Sequence, residues 1–554
     1  MSSNRPMPPQ HRPSAWAPLR NRVYRTLFVA QLISNIGLWM QTVGAQWFLV
    51  EHRSSATVVA LVQTASLLPV LFLSLFAGAL ADLLDRRRLL IAVSTYTAVA
   101  AGVTTALAFT DTLTPGLLLA MTFLLGCGSA LTSPAWQAIQ PELVPKEQIP
   151  AASALGSVTV NAARAVGPAA GGVLVAAAGP AAVFAVNTLS FAVIIGALAW
   201  WDRDAGDRSG DREPLGRSIV TGVHYVQSAP IVRRIMLRSA LFAFPASALW
   251  ALLPLASSQH LHYGASGYGL VLGIVGIGAV AGVALNPVLA KKFSRNGILV
   301  LSALAYALGV VAVAVLPVWA VLPLLLISGA AWIGTLTTLN ASVQLSLAHW
   351  VRARGMSVYL LVFMGTQALG SFVWGLAASH LGLTPALLVS ATLLALVAAS
   401  VRFLPLLAAT GSLARGVSTA WPTPTVVFDP EPADGPVTIV KTYRVRTGEL
   451  DAFERSMRAV GRARRRTGGY SWGLYQDGSD PQLILERFTV PSWDEFQRQH
   501  RDRWTESDHE AIVSALVHTE TGATHAEHQL VLLKPGHAQR KSGETALQPE
   551  PAQQ

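Results

Sequence analysis

The sequence predicts an all-α membrane protein of 12 transmembrane helices in two six-helix pseudo-repeats, followed by a C-terminal α+β domain. Three observations lead there. Of 554 residues, 52% are hydrophobic and only 13% charged, against about 25% charged in ordinary soluble proteins. Apolar runs long enough to cross a bilayer, roughly 20 residues each, recur from residue 24 to residue 406. Beyond residue 436 they stop, and short strand and helix periods replace them.

The net charge of +11 is no nucleic-acid signal, because the basic residues concentrate in loops and tails, where they set topology and meet membrane lipid. The lone Cys127 lies inside an apolar run, so no intrachain disulfide is expected.

Taken in order, residues 1–23 form a basic, Pro-rich cytoplasmic tail. The run Thr26–Val50 is too long for a signal-peptide core and lacks a small-residue cleavage site, so it reads as a retained first span. Spans are expected at 24–50, 56–81, 88–110, 114–140, 151–178 and 180–201, making residues 24–201 the N-terminal half. Those at 236–258, 266–290, 297–316, 318–345, 354–379 and 384–406 make residues 236–406 the C-terminal half. Loops after the even-numbered spans carry Arg86–Arg88, Lys146, Arg203, Arg208, Arg212, Arg217, Arg233, Arg234, Lys291, Lys292, Arg295, Arg352 and Arg354; the opposite loops carry only Arg53. That asymmetry places both termini in the cytoplasm.

Residues 202–235 form a cytoplasmic hinge loop in which Ile219–Val226 reads as a short amphipathic helix on the membrane surface. A shift of 204 residues lays one half on the other: Gly78 falls on Gly282, Asp82 on Asn286, Arg87 and Arg88 on Lys291 and Lys292, Gln140 on Gln344, Ser153 on Ser357, and Gly171 on Gly375. A repeat of six spans puts a substrate site between the halves near the midplane.

Residues 407–436 have linker composition, and residues 437–534 form a soluble domain. Val437–Val445 alternates as a strand, Glu449–Arg466 has helical spacing, and Tyr470–Tyr475 and Leu483–Val490 flank an Asp477-Gly478 turn. Trp493–Val517 is expected to be helical and His528–Leu533 a last strand. The β-α-β-β-α-β order is ferredoxin-like. Residues 535–554 form a polar, disordered tail.

Polar groups inside the spans are the candidate site. Gln31, Asn35, Trp39, Thr42 and Gln46 share one face of span 1, lining a cavity or bonding other helices. Span 4 adds Ser133, Trp136 and Gln137; span 10 adds Trp332, Thr335, Asn340 and Gln344; Trp250, Gln367 and Trp374 come from spans 7 and 11. Aromatics with amides suit a large, partly planar organic substrate. Span 5 reads Asn161-Ala-Ala-Arg164-Ala-Val-Gly167-Pro168-Ala-Ala-Gly171-Gly172. Arg164, about 20 Å deep at 1.5 Å per residue, either bonds carbonyls freed by Pro168 or serves as counter-charge for an anionic substrate. No Asp or Glu lies in the middle of any span.

The run Gly78-Ala-Leu80-Ala-Asp82-Leu83-Leu-Asp85-Arg86-Arg87-Arg88-Leu-Leu90 resembles the signature between helices 2 and 3 of the major facilitator superfamily. Leu83 replaces its frequent Arg, and Asp85 its frequent Gly. Gly167-Pro168-x-x-Gly171-Gly172 resembles the span 5 motif of facilitator exporters. The stretches Gly37-x-Trp39-Met40-Gln41, Gly264…Gly267-Tyr268-Gly269…Gly276-Ile-Gly278 and Trp350-Val-Arg352-Ala-Arg354-Gly355 are similar to the branch containing the enterobactin exporter and related secretion effectors. The resemblance covers residues 20–410. It implies proton-driven export of small siderophore-like or drug-like molecules by alternating access, from the cytoplasmic (inner) membrane of a bacterium. It also implies gating by Gly78, Asp82, Arg86, Arg87, Gly167 and Pro168, with Asp82 reaching Arg352 or Arg354 across the halves.

The terminal domain, with Trp472, Glu486, His500, Arg503 and Trp504, resembles the small dimeric domains of antibiotic-biosynthesis monooxygenases, which implies a homodimer. No cofactor or metal is expected, since His525-Ala-Glu-His528 is a poor ligand set. A transporter without enzymatic activity is the reading; the alternative is a membrane-tethered enzyme or ligand sensor.

Overall fold

The computed structural model describes residues 14, 16–202, 215–411, 418 and 430–530. The chain divides into two compact units, Met1–Val226 with Pro230–Leu413 and Gln227–Ala229 with Ala414–Gln554. The first is helical: α1 Arg22–Glu51, α2 Ala56–Leu83, α3 Arg86–Phe109, α4 Pro115–Ile139, α5 Ile149–Trp200, α6 Leu215–Ser228, α7 Pro230–Gln259, α8 Ala265–Lys292, α9 Arg295–Val315, α10 Val318–Ser346, α11 Arg352–Leu381 and α12 Leu383–Ala399. Among the described residues, 11 helices are long and apolar enough to cross a membrane.

Short polar residues fix the helix starts. The side chains of Asn21, Ser55, Asp85, Thr114 and Ser294 each accept a first-turn N–H of α1, α2, α3, α4 and α9, satisfying groups the helix cannot. Helix α5 has 52 residues, and Gly179 inside it is non-helical at φ +76° and ψ 171°. Glycine adopts that conformation without the clash an L side chain meets, and Pro180 follows. Past this point the chain reverses. Tyr24 donates to Ala152 O at 3.0 Å near the start of α5, and Arg87 Nε donates to Leu198 O at 2.9 Å near its end. Both ends therefore lie on the face that carries Arg86–Arg88, here termed the basic face. Spans expected at 151–178 and 180–201 correspond to the two arms.

Helix α12 stops at Ala399 rather than residue 406, with one 3₁₀ turn, Ser400–Arg402, after it. The buried Arg238 of α7 takes up the groups at that end, donating to Ser400 Oγ at 2.6 Å and Val397 O at 3.2 Å. Helix α6 extends beyond the expected 219–226 and packs on protein: Tyr225 meets Trp350 edge-on at 5.7 Å, and Gly222 abuts Arg354.

Two seams join the halves, both away from the basic face. Along α5 and α8, a Cβ at Gly172 would lie 2.6 Å from Ala265 O, and one at Gly276 would lie 2.5 Å from Arg164 O. Along α2 and α11, a Cβ at Gly375 would lie 2.6 Å from Ala60 Cβ. There Thr57 donates to Gly375 O at 3.2 Å and Thr64 to Ala368 O at 3.1 Å. In lipid, where apolar burial between helices contributes little, such small-residue contact provides the packing.

The second unit is an antiparallel sheet in the order β2-β3-β1-β4, from β1 Val437–Val445, β2 Ser471–Gln476, β3 Leu483–Val490 and β4 Thr519–Leu530. Helices α13 Leu450–Thr467, α14 Trp493–Arg498 and α15 Glu506–Leu516 complete it. The order is ferredoxin-like, as expected. Two details differ. The helix expected over Trp493–Val517 breaks after a π turn at Gln499–Arg503, and Thr505 with Asp508 restarts it through a capping box. Strand β4 starts at Thr519 rather than His528, because pairing with β1 supports residues whose own apolar alternation is weak.

A buried ion pair sits in this unit. Glu486 and Arg464 are both 0% exposed, with Arg464 Nε 3.2 Å from Glu486 Oε1. Tyr443 donates to Glu486 at 2.8 Å and Trp472 Nε1 at 3.0 Å, and the guanidinium lies 4.3 Å over Phe488 and 4.6 Å over Trp504. Burial pushes the Glu486 carboxyl up, but Arg464, Lys441 and the two hydrogen bonds outweigh it and hold it below its ordinary value. Burial and Arg464 bring the half-buried Lys441 down to about 7.

Removing one partner leaves a buried charge uncompensated. Glu486→Gln is therefore expected to cost the 437–534 fragment about 3–5 kcal/mol in urea unfolding. Because the folded carboxyl titrates below its unfolded value, the pair's contribution is present above about pH 4.3 and is lost as pH falls through the folded value. An unchanged urea midpoint at pH 7 would show that the pair contributes nothing.

Candidate functional site

Three groupings emerge from the predicted residues. The first lies at mid-depth, where α1 passes between α5 and α7. Trp39 packs on Gly167, whose Cβ would come within 2.6 Å of Trp39 Cβ. Its ring stands 6.1 Å from Trp250, and Trp250 stands 5.5 Å from Trp332. Trp39 thus touches both halves and keeps a partly exposed face, whereas Trp332 is sealed among Phe242, Tyr306 and Phe363. The guanidinium carbon of Arg164 lies 5.6 Å from the Trp39 ring centre.

The second grouping is nearer the basic face. A cleft lined by Tyr24, Leu27, Phe28, Gln31, Trp136, Gln140, Leu143, Gly156 and Thr159 brings Gln31 and Trp136 together. Gln31 donates to Asn35 at 3.0 Å, and Asn161 to Ser157 O at 2.9 Å. Gln137 on α4 and Gln344 on α10 are exposed; Gln137 reaches Ser133 at 3.4 Å, and Gln344 reaches Asn340 at 3.3 Å. The rest of the bundle surface shows large apolar side chains such as Phe72, Phe109, Leu189 and Leu308. Exposed amides are costly against lipid, and each of these two reaches a polar neighbour on its own helix.

The third grouping is Gln46, which the structure places in an inter-half contact. It accepts from Tyr268 at 2.5 Å and donates to Trp250 O at 3.4 Å. Pro254 explains that acceptor: having no N–H, it leaves the carbonyl four residues earlier, Trp250 O, without a helix partner. By the same rule Pro168 frees the carbonyl of Arg164 itself, which faces Gly276. Gln367 is buried, and Trp374 donates to Phe244 O at 2.8 Å. Tyr268 and Arg238 carry contacts the sequence reading passed over; Pro254 four residues after Trp250 was the available signal for a donor near Trp250 O.

The expected gate residues divide. Arg86 bridges Glu142 at 2.6 Å and donates to Ala138 O at 2.9 Å. Arg87 donates to Leu198 O and, at 2.7 Å, to Ala199 O, completing the last turn of α5. Both staple helices within one half in this conformation. Arg352 and Arg354 open α11, and Gly167 and Pro168 lie on α5. Gly78 and Asp82 lie on α2, and the side chain of Asp82 lies outside the described residues. In the second unit, Trp504 is fully buried, His500 Nδ1 contacts Phe496 O at 2.7 Å, and Arg503 pairs with Glu495.

Comparison with known proteins agrees with this architecture. The fold is shared with a point mutant of the nucleoside transporter NupG, at 11% identity and TM-score 0.59 over 69% of this chain and 100% of that one. It is shared too with a bacterial homologue of the human lysosomal transporter Spinster in an inward-facing, unoccupied conformation, at 15% identity and TM-score 0.55 over 70% and 97%. The staphyloferrin A transporter of Staphylococcus aureus is 31% identical over 27% of this chain and 38% of its own length. Macrolide efflux protein A of Streptococcus pyogenes is 24% identical over 52% and 71%, and the multidrug efflux pump Tap of Mycolicibacterium fortuitum 25% over 54% and 75%. The family model for transmembrane secretion effectors matches residues 13–534, so the chain belongs to the transmembrane secretion effector family of the major facilitator superfamily.

Proposed function

We propose that this chain exports a small organic molecule across the cytoplasmic membrane of a bacterium by alternating access. Counting the two arms of α5 separately gives twelve spans, with the basic face and both termini in the cytoplasm. The observation that carries the reading is the asymmetry of the bundle. The halves are packed backbone to backbone along α5–α8 and α2–α11 away from the basic face, while exposed amides on α4 and α10 lie toward it. That is the arrangement of a transporter open to the cytoplasm. Rocking the halves about Trp39 and Trp250 would expose the same site to the other side. The substrate-binding set is Gln31, Asn35, Trp39, Gln137, Asn161, Arg164, Asn340 and Gln344, with Trp136, Trp332, Gln46 and Gln367 supporting it. The transporter, macrolide-efflux and multidrug-efflux names of its relatives support efflux of a siderophore-like or drug-like cargo. Proton coupling rests on the resemblance to facilitator exporters, and Asp82 is the proposed carboxylate of the cytoplasmic gate.

Untargeted metabolite comparison of medium from a deletion strain and its parent tests the export reading. At least one small organic species should accumulate in cells and fall in the medium, restored by the wild-type gene and less by Asp82→Asn. A medium profile that does not change on deletion counts against export. Removing residues 437–554 separates the two readings: efflux that survives the truncation assigns transport to the bundle alone.

The seam makes its own prediction. A leucine at Gly172 cannot fit against Gly269, so Gly172→Leu should force the α5–α8 seam apart. With Cys127 replaced by Ser and a single cysteine at Thr42, labelling by an impermeant maleimide from outside the cell should rise several-fold. Equal labelling with and without Gly172→Leu would show that this seam does not close the outer side.

The helices of the terminal domain pack on the sheet face that carries Ile439, Tyr443 and Phe488, and the proposed cover for the other face is a second copy. The purified 437–534 fragment is expected to be a dimer by light scattering; a folded monomer would refute the pairing.

A further inference from the structure

Arg164 is the one arginine of the α5 interior, and its surroundings are unusual. Its Nε and Nη1 are buried and have no hydrogen-bond acceptor among the described residues. The carbonyl freed by Pro168 is Arg164's own and is turned to Gly276 of α8, so it does not serve the guanidinium. No Asp or Glu lies in the middle of any span. What the guanidinium does have is the Trp39 ring at 5.6 Å, with Trp250 beyond it at 6.1 Å. An arginine at this depth is retained against a substantial cost and needs a compensating charge. A fork of N–H donors above an indole face, between the two halves, matches a planar aromatic ring that bears an anionic group.

Resting on the export reading, we propose that Arg164 and Trp39 form an anion-recognising site, so that the cargo is a planar aromatic anion whose exit the membrane potential drives. No Asp or Glu lies in the middle of any span, so the exit of a monovalent anion through this site moves negative charge outward. A potential of 100 mV, negative inside, then biases a monovalent anion about fifty-fold toward the exterior.

The full-length protein in detergent is titrated with three probes: naphthalene-2-sulfonate, the neutral naphthalene-2-sulfonamide and 2-naphthylmethylammonium. The sulfonate is expected to bind at least about tenfold tighter than the sulfonamide, the worth of one charge-assisted hydrogen bond, and the ammonium weakest. Arg164→Gln should bring sulfonate and sulfonamide within about twofold while sulfonamide binding persists, which also shows that the variant is folded. Arg164→Lys should fall between. A wild type without sulfonate preference, a preference that survives Arg164→Gln, tightest binding of the ammonium, or no binding of any probe overturns the proposal. In proteoliposomes loaded with the sulfonate, a valinomycin-set potassium potential, positive outside, should speed efflux at any fixed pH gradient. Efflux that follows the pH gradient alone overturns the potential-driven exit. A site that binds the sulfonamide without charge preference defeats this proposal and leaves the export reading intact; failure of the deletion-strain comparison defeats the export reading itself.

Discussion

The halves of the bundle meet where side chains are missing. At Gly172 and Gly269 the helices approach so closely that a Cβ on either would enter the other's backbone, and Gly276 stands in the same relation to Arg164. The α2–α11 seam around Gly375, Thr57 and Ala60 is the pseudo-symmetric counterpart, since a shift of one half carries α5 onto α11 and α2 onto α8. Close backbone contact of this kind gives dispersion and Cα–H···O contacts without an apolar driving force. It is also easily separated and re-formed, because no interlocking side chains must be withdrawn. The position of Trp39 and Arg164 beside the inner end of this seam follows from it.

Prolines add a second constraint. Each interior proline leaves one carbonyl without its helical N–H, and in lipid that carbonyl must find another partner. For Pro254 the partner is Gln46 of the opposite half. For Pro168 the freed carbonyl lies against Gly276, also of the opposite half. For Pro69 it is Ala65 O, 3.1 Å from where a Cβ at Gly126 would stand. In these three cases the freed carbonyl lies where helices touch, and in two of them the touching helices belong to different halves.

Much of this was legible in the sequence, because local chemistry fixes it. Cap residues at Ser55, Asp85, Thr114 and Ser294 mark helix starts, and Gly179-Pro180 marks a reversal inside one apolar stretch. Strand limits at Val437–Val445 and Leu483–Val490 follow from alternation. Long-range partners were not legible. Gln46 shares a helical face with Gln31 and Asn35, so periodicity assigns all three one role; depth along α1 separates them, and depth depends on where α8 delivers Tyr268. The partners of Arg86 and Arg87, Glu142 and Leu198 O, lie far along the chain, beyond the reach of local pattern. The break before α15 was hidden because apolar spacing continues through it, although Thr505 and Asp508 carry the start signal.

Three arginines show how one group is accommodated in three ways. Arg464 sits in a sheet core and is answered by the carboxylate of Glu486. Arg238, at the basic face, is answered by a carbonyl and a hydroxyl at the end of α12, a site where the helix dipole is also favourable. Arg164 has neither answer among the described residues and is met by one indole ring. The first two stabilise a local fold whatever the protein is bound to. A guanidinium left with only a π face is stabilised chiefly when something negative arrives, and it lies where the two halves of a transporter come together around a substrate.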